Sequence, residues 1–229
     1  MNSHDSKRLI NLLLDHYGTP VSTEHPDDPF ERLITVALDQ ALEAKQISLA
    51  LDALREGGLL SAEVLADADP LELVDAWQPL GLRHPEKLAA PLRKLAKWVV
   101  DRYHGDARSL TDDDISTTRL RDELLAMKGI GPATADSILL HALDRPSYPL
   151  DRATYRILLR HGWLDASADY EEARSMVESL APDDVGLLSE LSAWFTRLGR
   201  EFCRATVAKC ERCPLKGMLP ESGPIEPEG

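Results

Sequence analysis

Three short stretches of the sequence hold residue types that do chemistry. All three cysteines, Cys203, Cys210 and Cys213, fall within eleven positions of a 229-residue chain. That is too few and too local for a disulfide framework, and such a cluster points to ligation of a metal or a metal cluster. Gly129 and Gly131 flank Ile130 between two apolar-periodic runs, at about 124–141. Glycines permit the positive φ angles of a tight turn, Ile130 can plug a core, and Pro132 suits the first position of a following helix. Amides freed at such a turn would point outward together as an anion site, beside the partial positive charge of a helix N-terminus. The same pattern also serves as a plain tight connection. In the third stretch, Pro146 and Pro149 stiffen a loop that delivers Asp151 to the start of another apolar-periodic segment, where on its own it reads as a helix N-cap.

The elements that must position these residues read as helices. Apolar residues recur at helical spacing in 7–17, 30–42, 47–55, 91–103 and 187–202, and no stretch shows sustained alternation. The breaks carry turn chemistry: a polar, proline-rich connector at 24–29, a Gly-Gly pair within 56–60, and a polar loop rich in Asp at 104–114. Pro91, at the head of an apolar run, predicts a helix start. The fold class is all-α.

Apolar residues make up 43% and charged residues 28% of the chain, which excludes wholesale disorder, collagen-like repeats and coiled-coil rods. No apolar run is long enough for a membrane span or a signal peptide, so a cytoplasmic protein is expected. The net charge of -13 argues against a nucleic-acid partner, because phosphate affinity comes from Lys and Arg. The average hides an asymmetry. Residues 83–160 hold 14 Lys/Arg against 11 Asp/Glu, leaving 12 against 28 for the rest. Charge alone leaves two readings open, an acidic solvated surface or a modestly basic face for DNA.

Taken together, Lys128-Gly-Ile-Gly-Pro-Ala-Thr-Ala135, a proline-bearing loop, Leu150-Asp-Arg152 and Arg156 resemble the helix-hairpin-helix and Gly/Pro-Asp signature of the endonuclease III superfamily of DNA glycosylases. Pro29-Phe-Glu-Arg-Leu-Ile-Thr-Val36 is similar to that family's entry to its first core helix. Residues 80–88 resemble its glycine turn, and Leu198-Gly-Arg-Glu-Phe-Cys203 the run into its iron-sulfur loop, so the likeness covers most of the chain. Within the superfamily, residues 129–139 are closest to the branch containing the bacterial 3-methyladenine glycosylase.

The resemblance implies a two-lobed helical fold. Residues 30–135 would form a central lobe ending in the hairpin, and 1–29 with 136–219 a second lobe carrying the cysteine loop at 203–219, with 220–229 as a disordered tail. It implies a monomeric, monofunctional DNA glycosylase of base excision repair, acting on double-stranded DNA that contains a damaged base. Asp151 would stabilise the cationic sugar as the base leaves. Lys128, Gly129, Ile130, Gly131 and Thr134 would hold the DNA backbone, and Gln40 would probe the gap left by the flipped nucleotide. Alkylated purine is the favoured lesion and oxidised pyrimidine the runner-up. Bifunctional relatives carry a Schiff-base lysine two residues after the second hairpin glycine; here that residue is Ala133.

Two departures bear on metal and catalysis. Cys203, Cys210 and Cys213 match the first three ligands of the family's [4Fe-4S] loop, but the fourth position is Leu219. A loop that folds without metal, an incomplete or labile iron-sulfur cluster, and a zinc site all remain open, the first two about equally. The missing thiol, the acidic residues that flank Gln40 in Asp39-Gln-Ala-Leu-Glu-Ala-Lys45 where relatives carry a polar wedge run, and the acidic surface also admit a rival reading, a non-catalytic, structure-specific DNA-binding protein built on the same fold.

Overall fold

The computed structural model describes residues 3–20, 26–112 and 114–226; the first two residues of the expected connector, Asp113 of the acidic loop and the last three residues of the expected tail lie outside them. Eleven α-helices and several single turns order the described residues, with one isolated antiparallel bridge between Cys203 and Ala208 and no strand among them. The fold is all-α as expected. No described helix is long and apolar enough to cross a membrane.

Acidic caps set many of the helix starts. In α2 (Pro29–Asp39) the Glu31 amide donates to Asp28 at 2.9 Å, and Asp69, Asp169 and Asp184 cap α5 (Pro70–Trp77), α10 (Tyr170–Glu178) and α11 (Val185–Glu201) in the same way. Part of the acidic surplus thus meets the positive ends of helix dipoles. One start differs from expectation: α6 (Pro85–Tyr103) begins at Pro85, and Pro91 lies inside it. An interior proline removes one backbone donor, a cost that tertiary burial has to offset. Leu92, Leu95, Ala96 and Val99 supply that burial.

The chain divides into two compact units, Glu24–Arg145 and a terminal unit of Met1–Thr23 with Pro146–Gly229. The boundary therefore falls ten residues beyond the expected one. The reason is packing: α8 (Pro132–Ser137) runs directly into a π-helical turn, Ile138–Ala142, whose Ile138, Leu139 and Ala142 are buried in the same core as Leu33, Ile34 and Leu38 of α2.

A buried ion pair holds the two hairpin helices together. Arg121 on α7 (Thr117–Leu125) reaches Asp136 on α8 with two parallel hydrogen bonds, of 2.6 and 3.1 Å, and Asp136 is fully buried. Bidentate guanidinium–carboxylate geometry is the strong form of this contact.

In the terminal unit, α1 (Ser3–Tyr17), α9 (Arg152–Arg160), α10 and α11 surround Leu9, Leu13, Ile157, Leu191 and Phe195. Trp194 donates to the Gly18 carbonyl at 2.9 Å. A Cβ at Gly199 would lie 2.4 Å from Ala153 Cβ, so only glycine lets α11 approach the first turn of α9 this closely. The tail expected to be disordered is held as far as it is described: the Ile225 amide donates to the Arg160 carbonyl at 3.0 Å, and Glu226 pairs with the Arg160 guanidinium at 3.0 Å.

Replacing Asp136 with Ala removes the bidentate carboxylate partner of Arg121, whose side chain is only 14% exposed. Unfolding in urea is expected to show a loss of about 3–5 kcal/mol; a loss below about 1 kcal/mol would mean the pair is solvated and does not lock the hairpin.

Candidate active site

The hairpin follows the expected pattern with one change. Ile130 is buried in the core, while Lys128, Gly129 and Gly131 are exposed and Thr134 is half-buried. The Ile130 amide closes a turn on Met127 at 3.0 Å, and Gly129 at its centre has φ of 101°, a conformation that favours glycine. Gly131 does not: its φ is -92° and it serves as the N-cap of α8, with no side chain to satisfy the helix amides. The amides of Gly129, Gly131, Ala133 and Thr134 accordingly have no backbone acceptor among the described residues. They form a cluster of open donors at a helix start. Nothing lies within 4 Å of where a Cβ would stand at Gly129 or Gly131, so the backbone is open to a ligand.

Lys94 on α6 is a member of this site that the sequence did not reveal. Its ammonium donates to the Lys128 carbonyl at 2.5 Å, which adds a cation to the hairpin across 34 residues of chain. Gln40, at the end of α2, is exposed and donates to Ser137 Oγ at 3.4 Å, beside the last turn of α8. The hairpin residues, Lys94 and Gln40 therefore share one unit. Much of the local basic excess, by contrast, is spent internally: Arg121 on Asp136, Arg145 on the carbonyls of Leu110 and Asp112, and Arg160 on the Arg204 carbonyl and Glu226.

Asp151 and the cysteines belong to the other unit. The Thr154 amide donates to Asp151 Oδ1 at 2.6 Å, making it the N-cap of α9, and the Thr196 hydroxyl donates to Oδ2 at 3.4 Å. The carboxylate is half-buried on an open groove lined by Leu150, Tyr155, Arg156 and Tyr170. Beneath it, buried Tyr148 shares a 3.0 Å hydrogen bond with Thr154, and its amide is anchored on Glu178 at 2.8 Å. Burial drives the Tyr148 phenol far above its usual range, so it stays neutral and structural. Asp151 is thus both a helix cap and an accessible carboxylate.

The cysteine loop turns back on the far end of α9. Cys203 is buried, and Arg160 donates to its sulfur at 3.4 Å. Cys210 and Cys213 are half-buried, and burial pushes the Cys213 thiol up to about 11. All three line one cavity, together with Leu219, Phe202 and His161, a residue the sequence did not single out. No three His, Cys, Asp or Glu side chains among the described residues converge on a point that could hold a single ion. That geometry disfavours a lone zinc, whose ligands all lie within bonding distance of one centre. Trp77, Trp98 and Trp194 are core residues, and Trp163 stacks on His161 with ring centroids 4.4 Å apart.

The two hairpin glycines are expected to differ in their effect on stability. Gly129→Ala forces a side chain into a left-handed conformation and is expected to cost about 1–2 kcal/mol, whereas Gly131→Ala, with ordinary φ and open space, is expected to stay within about 0.5 kcal/mol. Thermal unfolding of both variants checks this; equal losses would place the strain elsewhere.

No protein-family model matches the chain. A protein of Methanocaldococcus jannaschii described as a DNA repair glycosylase is 32% identical over 213 residues, covering 91% of this chain and 93% of its own. The thymine/uracil-DNA glycosylase of Pyrobaculum aerophilum is 30% identical over 194 residues, covering 82% of this chain and 78% of its own. Among solved structures, an endonuclease III trapped as a covalent intermediate with DNA superposes with a TM-score of 0.71 at 21% identity, over 96% of this chain and 97% of that one. With the hairpin, the capped carboxylate and relatedness of this extent, the chain belongs to the endonuclease III, helix-hairpin-helix family of DNA glycosylases.

Proposed function

We propose that this protein is a monofunctional DNA glycosylase that removes a damaged base from double-stranded DNA, with Asp151 as the catalytic carboxylate. The observation that carries the reading is the position of Asp151: fixed by one amide and one hydroxyl, yet open to a groove. As the glycosidic bond breaks, its electron pair leaves with the base and positive charge develops on the sugar. A preorganised carboxylate stabilises that charge and accepts the proton of the water that adds to the sugar carbon. The open amides of Gly129, Gly131, Ala133 and Thr134, with Lys94 and Lys128, would hold a backbone phosphate. Such contacts set the register of the protein on DNA without reading sequence. Exposed Gln40 would fill the space vacated by the flipped nucleotide.

Alkylated purine is the proposed lesion, on the likeness of residues 129–139 to the 3-methyladenine branch. A second reading, thymine or uracil, is favoured by the 30% identity to the Pyrobaculum enzyme. In both cases base loss needs only water, in keeping with Ala133 in place of an amine.

Asn caps a helix as well as Asp does, so Asp151→Asn is expected to keep the fold and DNA affinity while slowing single-turnover base excision by at least about a hundredfold. An unchanged rate would remove Asp151 from the chemistry. Borohydride is expected to trap little or no covalent protein–DNA adduct, with strand breaks appearing only after alkali or heat. Strong trapping would assign the protein to the bifunctional class, with Lys128 the first amine to test.

A further inference from the structure

The cysteine loop has three of the four thiols that the family resemblance asks for, but its interior does not fit the cluster they would hold. The cavity lined by Cys203, Cys210 and Cys213 measures about 10 Å³, room for a single water molecule and far too small for a [4Fe-4S] cube. Half-buried Leu219 lines it where the resemblance places the fourth thiolate, with Phe202 on the same wall. His161, a nitrogen donor on that wall, has backbone hydrogen-bond partners at both Ile157 and Leu215, so its ring is held by the chain itself. No three His, Cys, Asp or Glu side chains among the described residues stand where they could hold an ion together.

The chain supplies other ties for this loop. Arg160, at the end of α9, is only 3% exposed. Its guanidinium donates to Cys203 Sγ at 3.4 Å, to the Arg204 carbonyl at 2.7 Å and to Glu226 at 3.0 Å. One buried cation thus joins both the start of the loop and the C-terminal segment to the same helix. That segment also closes on α9 through its backbone, where the Ile225 amide donates to the Arg160 carbonyl at 3.0 Å. It packs tightly there as well: a Cβ at Gly162 would stand 3.2 Å from Ile225 Cδ1 and 3.6 Å from Pro220 Cγ. Leu215 is fully buried, and Arg156 and Arg8 donate to the Cys203 and Gly217 carbonyls at 3.3 and 3.1 Å.

We propose that the cysteine loop is a metal-free latch, in which Arg160 and the C-terminal segment 220–226 do the holding that a cluster does in an iron-sulfur loop. A buried guanidinium is stable only while its acceptors are in place. The loop, the C-terminal segment and the end of α9 therefore order together, and each is weakened when the others are removed. Cys210 and Cys213, half-buried on a cavity with no room for a cluster, are then dispensable to the fold.

The test uses the full chain, purified without oxygen, incubated with ferrous iron and sulfide or with zinc, and desalted. Wild type is expected to be colourless, to retain less than about 0.2 iron or zinc per chain, and to unfold at the same temperature with and without a chelator. The double variant Cys210→Ser, Cys213→Ser is expected to unfold within about 2 °C of wild type, whereas Arg160→Ala lowers the midpoint by at least about 4 °C. If Arg160→Ala fails to fold, a chain ending at Gly223, which lacks the Ile225 and Glu226 contacts, is expected to fold with its midpoint lowered by at least about 2 °C. About four irons or one zinc per chain, or a midpoint that falls on chelation, would overturn the proposal. So would a double-serine variant that loses as much as Arg160→Ala, or a chain ending at Gly223 that is as stable as wild type. Base excision does not enter these readouts, so they stand whether or not Asp151 is catalytic.

Discussion

The 2.6 Å hydrogen bond from the Thr154 amide to Asp151 holds a carboxylate at the first turn of α9, and the terminal unit is arranged around that short helix. Gly199 lets α11 press against Ala153, one turn from the carboxylate, and brings Thr196 to its second oxygen. Tyr148 braces the cap from below. At the other end of α9, Arg160 and His161 meet the cysteine loop. Nine residues of helix therefore connect the carboxylate to the cysteine cavity, so the cysteine loop packs on the end of the same rod that positions Asp151.

In the other unit the constraint is different in kind. The hairpin must keep several backbone amides unsatisfied and exposed, which is tolerable only because water or a ligand serves them and the helices behind are locked. The locking comes from Ile130 in the core and from the Arg121–Asp136 pair. Three arginines of the middle stretch, Arg121, Arg145 and Arg160, thereby serve the fold and not the surface. An acidic protein can still bind DNA through such a site, because oriented amides and one or two cations make a local attraction that net charge does not describe.

Local chemistry was legible in the sequence, and long-range chemistry was not. The all-helical fold, the buried Ile130, the positive φ of Gly129 and the cap at Asp151 all follow from neighbouring residue types, and each is present. Gly131 was misread because two glycines in one turn look alike until the backbone shows that one of them is a helix cap. Pro91 was misread as a helix start because Pro85 already satisfies that signal. The unit boundary and the tail moved because burial of Ile138 and Leu139, and the hold of Arg160 on residues 225 and 226, are decided by packing partners far along the chain. Lys94, Arg121, His161 and Gly199 escaped notice for the same reason: each meets its partner across at least 15 residues, and a lone His or Gly carries no signal until that partner is in view.

The central claim is that this capped carboxylate belongs to a working enzyme and not to a DNA-binding remnant of the fold. It is tested most directly by incubating the wild-type protein with a panel of duplexes, each carrying a single lesion, and treating with alkali before electrophoresis. Breaks at one class of lesion that appear only after alkali are the expected result. Selective binding of lesion duplexes with no alkali-labile site anywhere in the panel would contradict it.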